Sequence, residues 1–295
     1  EFGTAFTIGM LRDTKPTTFG ELIKISGLSH GTDVWLGNAQ ELIKKGVVPF
    51  KEVIGCRDDI MVYLMQAGME PIKAFKIMEF VRKGKASKDP EGWVKHKQTM
   101  EDAGIPEWYI DSCQKIKYMF PKAHAAAYVM SAFRIAWFKV HYPAEYYASY
   151  FSTRFSDFDL ESMIKGYDGI KARINEIIGK GYEATAKETS ILETLHLALE
   201  ATARGFKFGN IDIEKSQAKN YVIADDGITL ISPFMSLDGL GDAVANNIVQ
   251  ERDKKAFYCI EDFQNRGKVN QTTMEKLKML GVFKDMPVSA QLSLF

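Results

Sequence analysis

Apolar residues recur at helical spacing along most of this chain, and the pattern predicts short helices over residues 1–70. Thr17-Thr18-Phe19-Gly20-Glu21 opens one of them, with Thr18 as N-cap and Glu21 completing a capping box. Leu22, Ile23 and Ile25 supply its apolar face, and Gly27 with the polar run Ser29-His30-Gly31-Thr32 is expected to end it. A further helix runs from Ile60 to Gln66 and stops at Gly68. Pro71 suits a first helical turn, and Ala74, Phe75, Ile77, Met78 and Val81 follow at helical spacing up to Arg82-Lys83-Gly84-Lys85. Asp89-Pro90-Glu91-Gly92 marks a turn or a new start, and Pro106 begins a helix expected to reach Lys117. A long apolar segment from Ala123 to Val140 carries only Arg134 and Lys139 as formal charges. Pro143 interrupts it and a Tyr-rich helix follows.

Residues 156–205 read as helical, with one strand expected near Tyr182-Glu183-Ala184-Thr185. From Tyr221 to Ile231 the character changes to a β-hairpin around Asp226-Gly227. Glycine-containing turns between short helices continue to about residue 284, and residues 287–295 have no helical pattern. The fold class expected is mainly α: a helical domain over 1–205, a small α+β segment over 206–286 and a terminal peptide over 287–295.

Composition narrows the classes. The chain has 295 residues, 46% hydrophobic and 26% charged, enough for two or three globular domains. No run of 18 apolar residues exists to form a membrane helix, and no signal peptide is visible. The opening Glu1-Phe2-Gly3-Thr4 reads as the middle of a longer protein. Cys56, Cys113 and Cys259 are scattered and form no C-x-x-C pair, which fits a reducing, cytoplasmic setting better than zinc or a disulfide framework. Net charge is zero, yet residues 71–140 hold 13 Lys/Arg against 7 Asp/Glu, so a local phosphate-binding surface is compatible with overall neutrality.

Four constellations carry chemistry. In residues 115–129, Lys115, Lys117 and Lys122 crowd a loop leading into an alanine-rich helix start, where free N–H groups and the helix dipole attract anions. His124 and Tyr128, four apart, share a face on which a base could stack. A solvated loop before a packed helix is the competing reading. Arg82-Lys83-Gly84-Lys85, with Arg57 similar in kind, is either a second phosphate contact or a solvated helix end. Leu237-Asp238-Gly239-Leu240-Gly241, before a helix bearing Val244, Ile248 and Val249, has the pattern of a helix-hairpin-helix turn, whose glycines present N–H groups to a DNA phosphate. A second such unit is read at Gly267-Lys268-Val269-Asn270, then Thr273 to Leu280 and Gly281-Val282-Phe283, with Arg252 a further DNA-contact candidate; a plain turn would use similar glycines. The terminal Gln291-Leu292-Ser293-Leu294-Phe295 is similar to the peptide that bacterial proteins insert into the sliding clamp, the alternative being a frayed tail.

Clustered carboxylates for two-metal catalysis are missing. Asp157-Phe158-Asp159 is the only D-x-D, in a helix-start context with Ser156 as N-cap, while Asp58-Asp59 and Asp225-Asp226 read as a solvated helix start and a turn. No catalytic or metal-ligating residue is assigned.

Taken together these strings resemble the C-terminal region of the PolC-type, C-family DNA polymerase III alpha subunit of Gram-positive bacteria. The resemblance rests on Glu1-Phe2-Gly3-Thr4, residues 25–35, Cys56-Arg57-Asp58-Asp59, residues 115–129, Gly239-Leu240-Gly241 and residues 291–295. It implies a fingers domain over 1–205, in which Arg82, Lys83, Lys85, Lys115, Lys117 and Lys122 hold the triphosphate of an incoming dNTP and His124 and Tyr128 lie at the nascent base pair. It implies duplex contacts at Gly239, Gly241, Arg252, Gly267 and Lys268, and clamp contacts at Gln291, Leu292, Leu294 and Phe295. Catalytic aspartates, with the Mg²⁺ of the full-length enzyme, are expected outside this chain. The partners implied are primer-template DNA, dNTP, the sliding clamp and other replisome subunits, with no membrane. Two other classes remain open: a non-catalytic DNA-binding scaffold using the hairpins, and a self-contained enzyme using Asp157 and Asp159.

Overall fold

A computed structural model describes residues 2–154 and 157–289. It is mainly α with one small sheet. Two compact units divide between Arg134 and Ile135.

The first unit contains α1 (Ala5–Thr14), α2 (Phe19–His30), α3 (Gln40–Lys44), α4 (Arg57–Gln66), α5 (Pro71–Arg82), α6 (Lys85–Lys88), α7 (Pro90–Asp102) and α8 (Glu107–Lys115), and the division falls inside α9 (Lys122–His141). Its core gathers Met10, Ile25, Trp35, Ile60, Ile77 and Trp93 with residues of α8. The capping box of α2 forms as expected between Thr18 and Glu21. The helix does not stop at Gly27, however. A Cβ there would lie 2.5 Å from the Gly55 carbonyl oxygen and collide with the Cys56 sulfur, so this glycine serves close packing within the helix. Pro106 precedes α8, which ends at Lys115, two residues short of the expected Lys117. Asp89 caps α7, with Pro90 in its first turn.

The second unit contains α10 (Pro143–Ser152), α11 (Leu160–Ile164), α12 (Gly166–Lys180), α13 (Ala186–Ala203), β1 (Lys207–Ile211), β2 (Val222–Ile223), β3 (Thr229–Ser232), α14 (Asp242–Lys254), α15 (Ile260–Gly267) and α16 (Gln271–Met279). The strand expected at 182–185 is a 3-10 turn instead: Thr185 and Glu188 form a capping box that starts α13 there. The Asp226-Gly227 hairpin is present, pairing β2 antiparallel to β3. β1, unread in the sequence, pairs parallel to β3 and gives the order β1-β3-β2. One core joins Tyr147, Phe151 and Leu195 to Phe208 and Leu230, so residues on both sides of 205 pack together. Another gathers Phe234, Leu240, Ile248, Phe263, Val269 and Leu277 around α14–α16.

Candidate nucleotide and duplex-DNA sites

In the first unit the segment from Lys117 to Lys122 is where distant parts of the chain meet. Ile116 and Met119 are buried and anchor it. Thr32 N–H donates to the Tyr118 carbonyl at 2.9 Å, and Lys117 N–H donates to the Thr32 carbonyl at 3.1 Å. Met119 N–H donates to the Arg82 carbonyl at 3.3 Å, and Arg57 N–H to the Phe120 carbonyl at 3.2 Å. Gly84, with φ of +68°, presses against the Lys117 backbone so closely that a Cβ would overlap its carbonyl oxygen. The two basic runs read separately in the sequence are therefore neighbours, joined by backbone contacts.

Each cation there has a partner, except that none is found for Lys85 among the described residues. Arg82 makes a two-pronged contact with Glu79, and Lys83 reaches the same carboxylate at 3.0 Å. The hydrogen bond from Arg82 holds the Glu79 carboxyl down at about 2, and that bond raises the Arg82 guanidinium in turn. Lys115 donates to the Gly37 carbonyl at 3.2 Å, and Lys117 pairs with Asp33 at 2.6 Å. Lys122 Nζ pairs with Asp59 at 3.0 Å, while its backbone N–H donates to Asp58 at 2.8 Å. Burial pulls the Lys122 ammonium down, but the charge and hydrogen bond of Asp59 outweigh it and leave it raised.

Asp58 and Asp59 thus differ from the solvated helix start expected. Asp59 also accepts from Gly55 and Cys56 N–H, and Asp58 occupies the N–H at the head of α9. Part of that helix start is already satisfied by a carboxylate of the same chain. Side chains of Lys117 and Lys122 remain 55% and 53% exposed; the Lys117–Asp33 pair is open on both sides and such pairs contribute only about 0–1 kcal/mol, whereas Asp59, 16% exposed, is the more firmly held partner of Lys122. Rings run along one side: His30 stacks on Phe120 at 4.6 Å, Phe120 meets His124 edge-on at 5.1 Å, and His124 lies 4.5 Å from Tyr128. Tyr128 is 59% exposed, an open face for a planar ligand.

The acids Glu79, Asp33 and Asp59 were missed in the sequence. Glu79 had a local signal, three and four residues before Arg82 and Lys83 on one helix. Asp33 and Asp59 had none, because their lysines lie far along the chain. Asp157 and Asp159 are committed elsewhere: Ser190 donates to Asp157 at 2.6 Å, while Asp159 caps α11 and pairs with Arg173 at 2.8 Å. Ser156, the N-cap expected there, lies outside the described residues. Among the described residues no group of three or more His, Cys, Asp or Glu side chains is placed to hold a metal ion.

In the second unit, α15, the loop Lys268-Val269-Asn270 and α16 form a complete helix-hairpin-helix. Lys268 takes a left-handed φ of +55°, Val269 is buried, and Asn270 caps α16 through Thr273 N–H at 2.8 Å. Gly267 packs on Ile248 of α14, where a Cβ would be 3.1 Å away. The first hairpin has a single 3-10 turn, Phe234–Ser236, in place of its leading helix. Gly239 turns that loop with φ of +94°, Leu240 is buried, and Gly241 leads α14 with no side-chain cap. Gly239 and Gly241 are exposed, and so is Lys268. Arg252 faces inward: its side chain is only 10% exposed and its guanidinium donates to the carbonyls of Ser216 at 2.5 Å and Ile213 at 3.3 Å, which holds the loop after β1 rather than presenting charge to solvent. Gln291, Leu292, Leu294 and Phe295 lie outside the described residues.

Sequence comparisons agree with these features. Residues 1–104 match the family described as bacterial DNA polymerase III alpha subunit finger domain, and residues 205–291 match the helix-hairpin-helix motif. The fingers match ends before Lys115. Over all of its 295 residues the chain is 56% identical to DNA polymerase III PolC-type of Halalkalibacterium halodurans and 56% identical to that of Bacillus subtilis. It is 52% identical to that of Streptococcus agalactiae over an alignment of 301 residues. The chain covers 20% of each of these relatives, about a fifth of their length. The resemblance to PolC-type DNA polymerase III drawn from the motifs therefore holds along the whole chain.

Proposed function

We propose that this chain, similar throughout to PolC-type DNA polymerase III, supplies the nucleotide-holding and duplex-holding surfaces of a replicative DNA-directed DNA polymerase. The reading is supported most by one observation: the basic runs at 82–85 and 115–122 are brought side by side by the bond from Met119 N–H to the Arg82 carbonyl and by Gly84 against the Lys117 backbone. Arg82, Lys83, Lys85, Lys115, Lys117 and Lys122 hold the triphosphate of a dNTP. The carboxylates that now pair with Arg82, Lys83, Lys117 and Lys122 occupy positions that phosphate oxygens take over, as charge-assisted bonds from ammonium and guanidinium groups. His124 and Tyr128 offer ring faces to the nascent base pair.

The hairpin loops at Gly239, Gly241 and Lys268 contact the backbone of primer-template DNA without reading sequence, while Gly267, buried against Ile248, lets α15 pack closely on α14. Arg252 acts by holding its own domain together. Residues 291–295 engage the sliding clamp, and other replisome subunits are further partners in the cytoplasm. Domain roles follow as fingers over 1–205, duplex binding over 206–286 and clamp binding over 287–295. The Mg²⁺ that supports phosphoryl transfer is held by carboxylates outside this chain, since Asp157 and Asp159 already serve Ser190 and Arg173.

In the full-length polymerase, Lys122→Ala and Lys117→Ala should each raise the KM for dNTP about tenfold, the scale of losing one charge-assisted bond. DNA affinity should stay unchanged. Wild-type KM in both variants would remove the triphosphate assignment.

A further inference from the structure

Two lysines from outside the first hairpin reach its loop. Lys187, in the first turn of α13, donates to Asp238 Oδ1 at 2.9 Å. Lys276, on α16, donates to the Asp238 backbone carbonyl at 2.7 Å and stands 3.6 Å from Oδ2. Asp238 directly precedes Gly239, and a Cβ at Gly239 would lie 3.7 Å from Lys276 Nζ. One ammonium group is therefore set against the hairpin backbone, and the other is held beside it by the same carboxylate.

The three side chains are open to solvent: Lys187 is 61% exposed, Asp238 77% and Lys276 40%. Lysine–carboxylate pairs in that setting are weak and screened by salt, and an ammonium exchanges one oxyanion for another without changing its geometry. Two cations sharing one anion leave one positive charge over. Lys187 and Lys276 also line, with Arg173 and Lys180, a cavity of about 690 Å³. Arg173 and Lys180 are tied to Glu176 and Glu188, and Asp159, Glu161 and Glu183 also line that cavity, so the positive excess is local to the hairpin loop, where two ammonium groups share one carboxylate.

We infer that Lys187 and Lys276 form, with the first hairpin, a binding site for a nucleic-acid backbone phosphate, with Asp238 holding both ammonium groups in place until a phosphodiester oxygen displaces its carboxylate. The inference rests on the duplex-binding reading of that hairpin and adds to it two residues from different helices. Asp238 is the negative element of the site: it positions the lysines and competes with the ligand.

The test is fluorescence anisotropy of a labelled primer-template duplex against the 295-residue chain over a series of salt concentrations. Lys187→Ala and Lys276→Ala should each weaken binding and each reduce the salt slope by about one. Asp238→Asn should tighten binding severalfold, an outcome that a merely structural tie between α13 and α16 does not produce. Gly241→Val is the control for the hairpin itself. An added Cβ there meets nothing within 4 Å and the extended backbone of Gly241 suits a β-branched residue, so an unchanged melting temperature is expected, with the side chain obstructing a phosphate. Lost binding in Gly241→Val with unaltered slopes in both lysine variants overturns the inference and leaves the hairpin reading standing. Unaltered binding in Gly241→Val overturns both. Weaker binding in Asp238→Asn, with a lowered melting temperature, would show the triad to be structural.

Discussion

Gly84 shows how much one residue can decide. Its backbone is left-handed, and the Lys117 carbonyl fills the space a side chain would need. Gly84→Ala should destabilise the first unit by about 1–3 kcal/mol through overpacking, with added backbone strain. It should also loosen the link between the basic runs. Denaturant titration of the two chains checks the first effect, and an unchanged midpoint would contradict it.

Glu79 gives a pH signature. Its folded pKa, about 2, lies below the ordinary value of 4.5, so its contribution is complete above 4.5 and is lost as pH falls toward 2. The stability difference between the wild type and Glu79→Gln should therefore be constant near neutrality and narrow below pH 4.5. Because its partners are partly exposed, that difference is small, well under the effect of Gly84→Ala. Unfolding curves at a series of pH values measure it, and a difference that widens in acid would refute the pairing.

At the scale of elements, what was legible in the sequence was what local chemistry determines. Thr18 and Glu21, Pro71, Pro143 and Asp226-Gly227 all act within a few residues, and each helix or turn they announce is present. Gly27 was misread because tertiary packing overrode the local signal, and Thr185 because its own local signal, the capping box with Glu188, was passed over. β1 was unreadable because its partner β3 lies some twenty residues on and Lys207-Phe208-Gly209-Asn210-Ile211 carries little strand preference. Thr18→Ala should cost about 1 kcal/mol, as loss of an N-cap does, with a matching fall in helix stability around residue 20. Hydrogen exchange in α2 reads this locally, and unchanged protection there would count against the capping box.

For the molecule as a whole, the basic residues were legible by type, but their partners were not. Lys117 with Asp33 and Lys122 with Asp59 are pairs made by the fold, separated by dozens of residues. Arg252 looked like a surface cation and became an internal clasp, because Ile213 and Ser216 offer carbonyls that no periodicity announces. For clamp binding, deleting Leu294 and Phe295 should cost about 2–4 kcal/mol, the scale of buried anchor residues, measured by titrating the clamp against the intact and shortened chains. Equal affinities would remove residues 291–295 from the account.

The central claim is that a dNTP triphosphate lies against residues 82–85 and 115–128. Photocrosslinking an azido-dNTP to the full-length polymerase, followed by peptide mapping, tests it directly. The account predicts label on residues 115–128, suppressed by unlabelled dNTP and weakened in Lys122→Ala. Label that maps outside both basic runs, or that unlabelled dNTP fails to displace, would contradict it.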